Sequence, residues 1–147
     1  MRVNVIRERA VLAAMTADAS VTVTYAPVIL YLAPLPSLNV LLRTHWAKRR
    51  KLQRDVDLQI LAGLGLYRER FWATWPRGKR VVHIERVGGK RMDLDNLTGA
   101  IGKLCLDGLR HAKLLDDDTP DHVTVMYAQR PVGDGERVGL RVSVRPE

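Results

Sequence analysis

The alternation of apolar and polar positions is cleanest near the end of the chain. Val138, Leu140, Val142 and Val144 fall on every second residue of the stretch 137–145. A period of two puts those side chains on one face of a half-buried strand. Alternation recurs at Lys79–Val87, with Val82 and Ile84 on one face, and within Asp121–Gln129, with Val123, Val125 and Tyr127 alternating, while Val28–Ala33 is a short, β-rich apolar run that reads as a strand. Two stretches keep helical spacing instead. Leu52, Val56, Ile60 and Gly63 give a core face to a helix over about 45–66, and Leu97, Ile101, Leu104, Gly108 and Ala112 share one over about 97–113. Gly99 and Gly102 weaken the start of that second helix.

Between these elements the punctuation is clear. Pro34 and Pro36 stop strand pairing, and Ser37 or Asn39 can cap the helix after them. Residues 72–78 read as a loop, Leu114–Pro120 as a turn, and Pro131–Glu136 as a hairpin loop. The order strand, helix, strand, helix, strand, strand predicts an α+β fold: one mixed, mainly four-stranded sheet with two helices on one face. Residues 1–26 read as an N-terminal extension of unknown role, with a short helix over Val3–Met15 and a strand over Ser20–Tyr25; residues 27–147 form the main domain.

Composition narrows the function. In 147 residues, 24 Lys and Arg stand against 16 Asp and Glu, for a formal charge of +8. That balance points to a polyanionic partner. No apolar run has the length of a membrane-spanning helix, so no membrane is expected. Cys105 is the only cysteine. No disulfide or cysteine zinc cluster can form within one chain, which fits a reducing cytoplasm.

The charges are not evenly spread. Arg43, Lys48, Arg49, Arg50, Lys51 and Arg54 precede or begin the first helix with no acidic residue among them until Asp55. Unpaired like charge suits phosphate contact, although a charge run is also the ordinary make-up of a solvated face. His45 and Trp46 can stack on a base or sugar, and Trp46 can equally be a core anchor. Lys90 and Arg91 form a second basic pair. The acidic residues concentrate at Asp93-Leu94-Asp95-Asn96 and at Asp116-Asp117-Asp118. If the chain is still extended at Asp93 and Asp95, both carboxylates face one side, about 6–7 Å apart, a spacing that a divalent cation can bridge. Asn96 is then the N-cap of the next helix, whose N-terminus favours an anion. Asp and Asn also serve as plain caps and turn formers, so neither cluster alone identifies a site. The second cluster lies one helix away and returns to the first only if the next strand brings it back.

Together, Pro36-Ser37-x-Asn39, Asp93-x-Asp95-Asn96, Lys103, Asp107-x-Leu109 and Asp117-Asp118 resemble the RusA-like Holliday-junction resolvases, phage-type endonucleases, over about residues 27–146. The resemblance implies an α+β homodimer that cuts four-way DNA junctions with Mg2+ by paired symmetric nicks, in the cytoplasm, or the host's if phage-encoded. It implies catalytic roles for Asp93, Asp95, Asp118 and Lys103, and metal ligation by Asp93, Asp95, Asp117 and Asp118. Arg43, His45, Lys48, Arg49, Arg50, Lys51, Arg54, Lys90 and Arg91 are the expected DNA contacts. One departure is that Lys103 stands seven residues past Asn96, so about one helical turn near Thr98–Ile101 is inserted relative to the family pattern. The competing readings are a non-catalytic nucleic-acid-binding protein and a nuclease of other branched DNA.

Overall fold

The computed structural model of the chain describes residues 24–65, 67 and 70–147. The expected helix at Val3–Met15, and all but the last two residues of the strand expected at Ser20–Tyr25, lie outside them. Thr24 and Tyr25 are not in a strand.

Four strands form one sheet: β1 (Val28–Leu32), β2 (Arg80–Val87), β3 (Val123–Arg130) and β4 (Gly139–Pro146). Their spatial order is β1-β4-β2-β3. β4 runs antiparallel to both β1 and β2, and β2 runs parallel to β3. The parallel pair needs a crossover, and the helical stretch between β2 and β3 supplies it. The sheet register lines up Leu30, Val142, Ile84 and Tyr127 in one row and Val28, Val144, Val82 and Val125 in the next. Leu30, Val142, Ile84, Val28, Val144 and Val82 are at most 1 % exposed. This face carries the core. On the opposite face Tyr31 and Met126 are exposed.

The helices are α1 (Leu38–Arg43), α2 (Trp46–Leu64), a short α3 (Arg70–Ala73), and then α4 (Leu94–Asn96), a π-helical stretch (Leu97–Gly102) and α5 (Lys103–His111), which run on without interruption. Val56, Ile60 and Leu64 of α2 are buried, as are Leu97, Ile101, Leu104 and Leu109 of the later helix. All belong to the same core cluster as the inward strand residues. Gly108 lets α2 and α5 approach closely, since a Cβ there would lie 2.5 Å from Ile60 Cδ1.

Several expectations need correction. More helical elements form than the two expected, because the proline-stopped segment 34–39 leads into α1 before α2 begins and part of the 72–78 loop is α3. The later helix starts at Leu94, with Asp93 as N-cap rather than Asn96. The segment 131–138 is not a hairpin, because β2 lies between β3 and β4. It crosses the end of β2, where Arg130, Val87 and Gly139 stand side by side. Val138 precedes β4 and is 48 % exposed instead of facing inward.

Candidate functional site

Asp93 has extended backbone (φ −69°, ψ 166°), and helical geometry begins with the next residue. Its carboxylate accepts the backbone N–H of Asn96 at 2.8 Å and the Asn96 side-chain amide at 2.9 Å on each oxygen. These bonds, the backbone one foremost, hold the Asp93 carboxyl below its ordinary range. Asp95 sits in the first helical turn, so the two carboxylates are not on one extended segment. Asp95 is exposed and makes no side-chain hydrogen bond or ion pair among the described residues.

Asn96 ties this turn to the proline-rich segment. Its Oδ1 accepts the backbone N–H of Asn39 at 3.4 Å. Leu38 packs on the next turn, where a Cβ at Gly99 would lie 3.0 Å from Leu38 Cδ2. The two sequence motifs that frame the resemblance, far apart in the chain, are therefore in contact. On the other side, Gln129 at the end of β3 grips Met92. The Met92 N–H donates to Gln129 Oε1 at 2.9 Å, and Gln129 Nε2 donates to the Met92 carbonyl at 2.7 Å. Nothing local in the sequence marks Gln129 for this role. Beside it, Arg86, Arg91 and Arg130 line an open cleft with the Gly88–Gly89 turn. Lys90 and Arg91 are exposed there.

The second acidic cluster does return, but to the middle of the later helix. The helix ends at Ala112, Lys113 turns the chain with φ 64°, and Leu114 and Leu115 bury themselves. Asp118 then lies beside α5. Lys103 Nζ donates to Asp118 at 2.9 Å and to Asp107 at 3.0 Å. Arg110, which no sequence motif marks, reaches Asp117 at 3.5 Å, Asp118 at 3.6 Å and Asp107 at 3.7 Å. Asp118 and then Asp107 raise the Lys103 pKa, and Lys103 in turn lowers that of Asp118. Lys103 is thus a protonated ammonium at neutral pH. It can stabilise negative charge but cannot accept a proton. Cys105, two residues past Lys103, is buried, and burial pushes its thiol up to about 12. It is inert as a nucleophile.

Asp93, Asp95, Asp117 and Asp118 offer hard carboxylate oxygens, the donor type Mg2+ takes, and Mg2+ needs only one or two of them beside water and phosphate. The donor chemistry fits. Among the described residues, no three His, Cys, Asp or Glu side chains converge as a ready-made metal cage. Asp93 and Asp95 stand at the head of the helix, and Asp118 stands beside Lys103 further along it. The inserted turn expected before Lys103 coincides with the π-helical stretch Leu97–Gly102. Such wider turns often occur at functional sites.

The basic residues Arg43, His45, Lys48, Arg49, Arg50, Lys51 and Arg54 are all exposed. None forms an ion pair with a carboxylate among the described residues. His45 is also the N-cap of α2, its Nδ1 accepting from the Ala47 N–H at 3.3 Å. Trp46 is 55 % exposed, which rules out the core-anchor alternative. Among the described residues no helix is long and apolar enough to cross a membrane. No protein-family model matches the chain, and no curated protein matches it.

Proposed function

We propose that this chain is a Mg2+-dependent, structure-specific endodeoxyribonuclease that resolves four-way DNA junctions, acting as a homodimer. The observation that carries the reading is the contact of the Ser37-x-Asn39 and Asp93-x-Asp95-Asn96 segments through the Asn96 carboxamide. It gives the paired aspartates a defined platform next to an exposed, unpaired run of cations. Asp93 and Asp95 would hold the ion, while Asp117 and Asp118, further along the helix, hold Lys103 and Arg110. When bound, Mg2+ supplies Lewis-acid activation of water and neutralises charge at the leaving oxygen. The protein's own groups do the rest. Asn96 fixes the Asp93 carboxylate and keeps it ionised, ready to bind a cation. Lys103, held cationic by Asp107 and Asp118, offsets negative charge that builds on the phosphoryl oxygens. Arg110 shares those carboxylates and holds the lysine's partners in place. The α2 cations contact phosphates without reading sequence. A dimer matches two such sites to a two-fold junction.

Asp93→Asn keeps an oxygen for the cap but loses the charge, and Asp95→Asn alters no bond among the described residues. Either substitution is expected to slow cleavage of a synthetic four-way junction on the order of a hundredfold or more, the scale of losing a group that stabilises transition-state charge. Binding in EDTA should survive. Undiminished cutting by either variant would overturn the site assignment.

A second reading has its own support. Asp93 serves as a cap, and Asp107, Asp117 and Asp118 balance Lys103 and Arg110, as they would in a non-catalytic nucleic-acid-binding protein. That protein would bind with steep salt dependence and nick no substrate with Mg2+. A panel of linear, flapped and three-way DNA separates a nuclease of other branched DNA from both.

A further inference from the structure

A shallow groove runs between α1, α2 and α5, lined by Leu41, Trp46, Arg49, Arg50, Gln53 and Leu104. We propose that this groove seats an unstacked nucleobase, with Trp46 as the stacking platform and Arg49 and Arg50 on the adjoining phosphates. The inference rests on the nucleic-acid reading above and names the feature of the DNA that the protein grips.

Four observations converge. Trp46 presents 55 % of its surface to solvent at the start of α2, so its amphipathic ring is accessible to a ligand. The Arg50 guanidinium lies over that ring, 5.1 Å from its centroid, and the tilted His45 ring lies 5.5 Å away. A cation seated on the ring brings positive charge to where a stacked base would carry its phosphate. The groove floor is apolar, with Leu104 7 % exposed and Leu41 packed against the core. Gln53 stands at its wall. Its Nε2 donates to Asp57 at 2.8 Å and to the Leu104 carbonyl at 3.2 Å, while its Oε1 accepts no hydrogen bond among the described residues. That oxygen is free to accept from a base edge.

The charges favour a nucleotide over an apolar peptide or lipid chain. Arg49 and Arg50 have no carboxylate partner among the described residues, and Arg50 has the Trp46 ring, so both can take an anion from outside the chain. Base–aromatic stacking with a cationic track is how single-stranded nucleic acid is held without sequence preference. A base is free to enter only where it has left the duplex stack, as at a branch point. Leu104 comes directly after Lys103, so a strand anchored in the groove passes close to the Lys103–Asp118 pair.

The test uses the full chain in EDTA with a short single-stranded oligonucleotide, intact or carrying one abasic position, and a four-way junction. Trp46→Ala should weaken oligonucleotide binding about tenfold, within the range measured for losing one stacked base. The loss should be the same at every salt concentration, leaving the salt slope unchanged. Trp46→Phe should remain within about threefold of wild type, since a smaller ring still stacks. Arg49→Ala should instead flatten the salt slope. The abasic position should weaken wild type and leave Trp46→Ala unaffected. Equal affinity of wild type and Trp46→Ala, or an equal abasic penalty in both, would overturn the proposal. So would stronger binding of poly-glutamate than of the oligonucleotide, which would mark an acidic-peptide groove. Failure of wild type to bind any DNA overturns this inference and the nucleic-acid reading together. Binding as expected with no cleavage in Mg2+ overturns the nuclease alone.

Discussion

Gln129 commits both ends of its carboxamide to one residue, Met92, and so takes the place of a strand neighbour where β2 has already ended. The half-buried Met92 N–H and C=O precede Asp93 directly. Gln129→Leu keeps the bulk and strands both groups. Each unsatisfied buried polar group costs about 1–3 kcal/mol, so a loss of about 2 kcal/mol is expected in urea unfolding. The same change should lower the junction cleavage rate more than junction affinity, because it frees the segment that carries Asp93. A cleavage rate that tracks affinity alone would reduce Gln129 to a stabilising residue. At this scale the sequence was legible wherever the interaction is local. Lys103 to Asp107 is an i,i+4 spacing, and a helix cap is readable in the Asp93–Asn96 stretch, although the sequence points to Asn96 and the cap is Asp93. Gln129 to Met92 and Arg110 to Asp117 depend on how the chain returns after the helix. No local pattern encodes that.

Among the elements, the π-helical stretch is the least ordinary. Its last residue, Gly102, faces Tyr127 of β3 so closely that an added Cβ would stand 2.4 Å from the phenol oxygen and 2.9 Å from Cε1. The half-buried Tyr127 hydroxyl has its pKa raised by burial, which disfavours its ionised form. Gly102→Ala gains up to about 1 kcal/mol of helix propensity and meets an overpacking cost of about 1–3 kcal/mol. The expected net effect is a clear destabilisation. Adding Tyr127→Phe should restore part of it by removing the nearest atom. Gly99→Ala meets only the flexible end of Leu38 at 3.0 Å, so it should be much milder. Urea midpoints of the four variants check the order, and additivity of Gly102→Ala and Tyr127→Phe would refute the contact. Element type was readable from period: Leu140, Val142 and Val144 alternate and are buried, and Val56 and Ile60 share a helical face. Strand order was not, because the 131–138 connection looks local and yet skips over β2. α1 escaped notice because its six residues bury none of their side chains, leaving no periodic core face to read.

For the whole molecule, charge decides the response to pH. At neutral pH the 16 acidic residues offset two thirds of the 24 lysines and arginines. Among the described residues three carboxyls are held below their ordinary values: Asp93 by Asn96, Asp118 by Lys103, and Glu136 by Arg130 and the Gly133 N–H, which pull it down to about 2. A carboxyl with a depressed folded pKa contributes stability that is fully present above its unfolded pKa, and that contribution is lost as pH falls through the folded pKa. The melting temperature should therefore fall as pH drops from 4.5, the ordinary value for Glu136, toward about 2. Self-repulsion among the unopposed cations deepens the fall, and added salt should recover part of it by screening. Lys103 acts in the opposite direction. Its raised pKa makes its contribution complete below its ordinary 10.5 and lost as pH rises beyond that. Glu136 isolates one part of the acid limb, since it lies in the segment that crosses the end of β2 and its Arg130 partner also reaches Glu85 at 3.1 Å. Glu136→Gln should lower stability at neutral pH and flatten the acid limb, so that the two proteins converge near pH 2. Parallel melting curves across that window would show that the Arg130–Glu136 pair does not hold the crossing in solution.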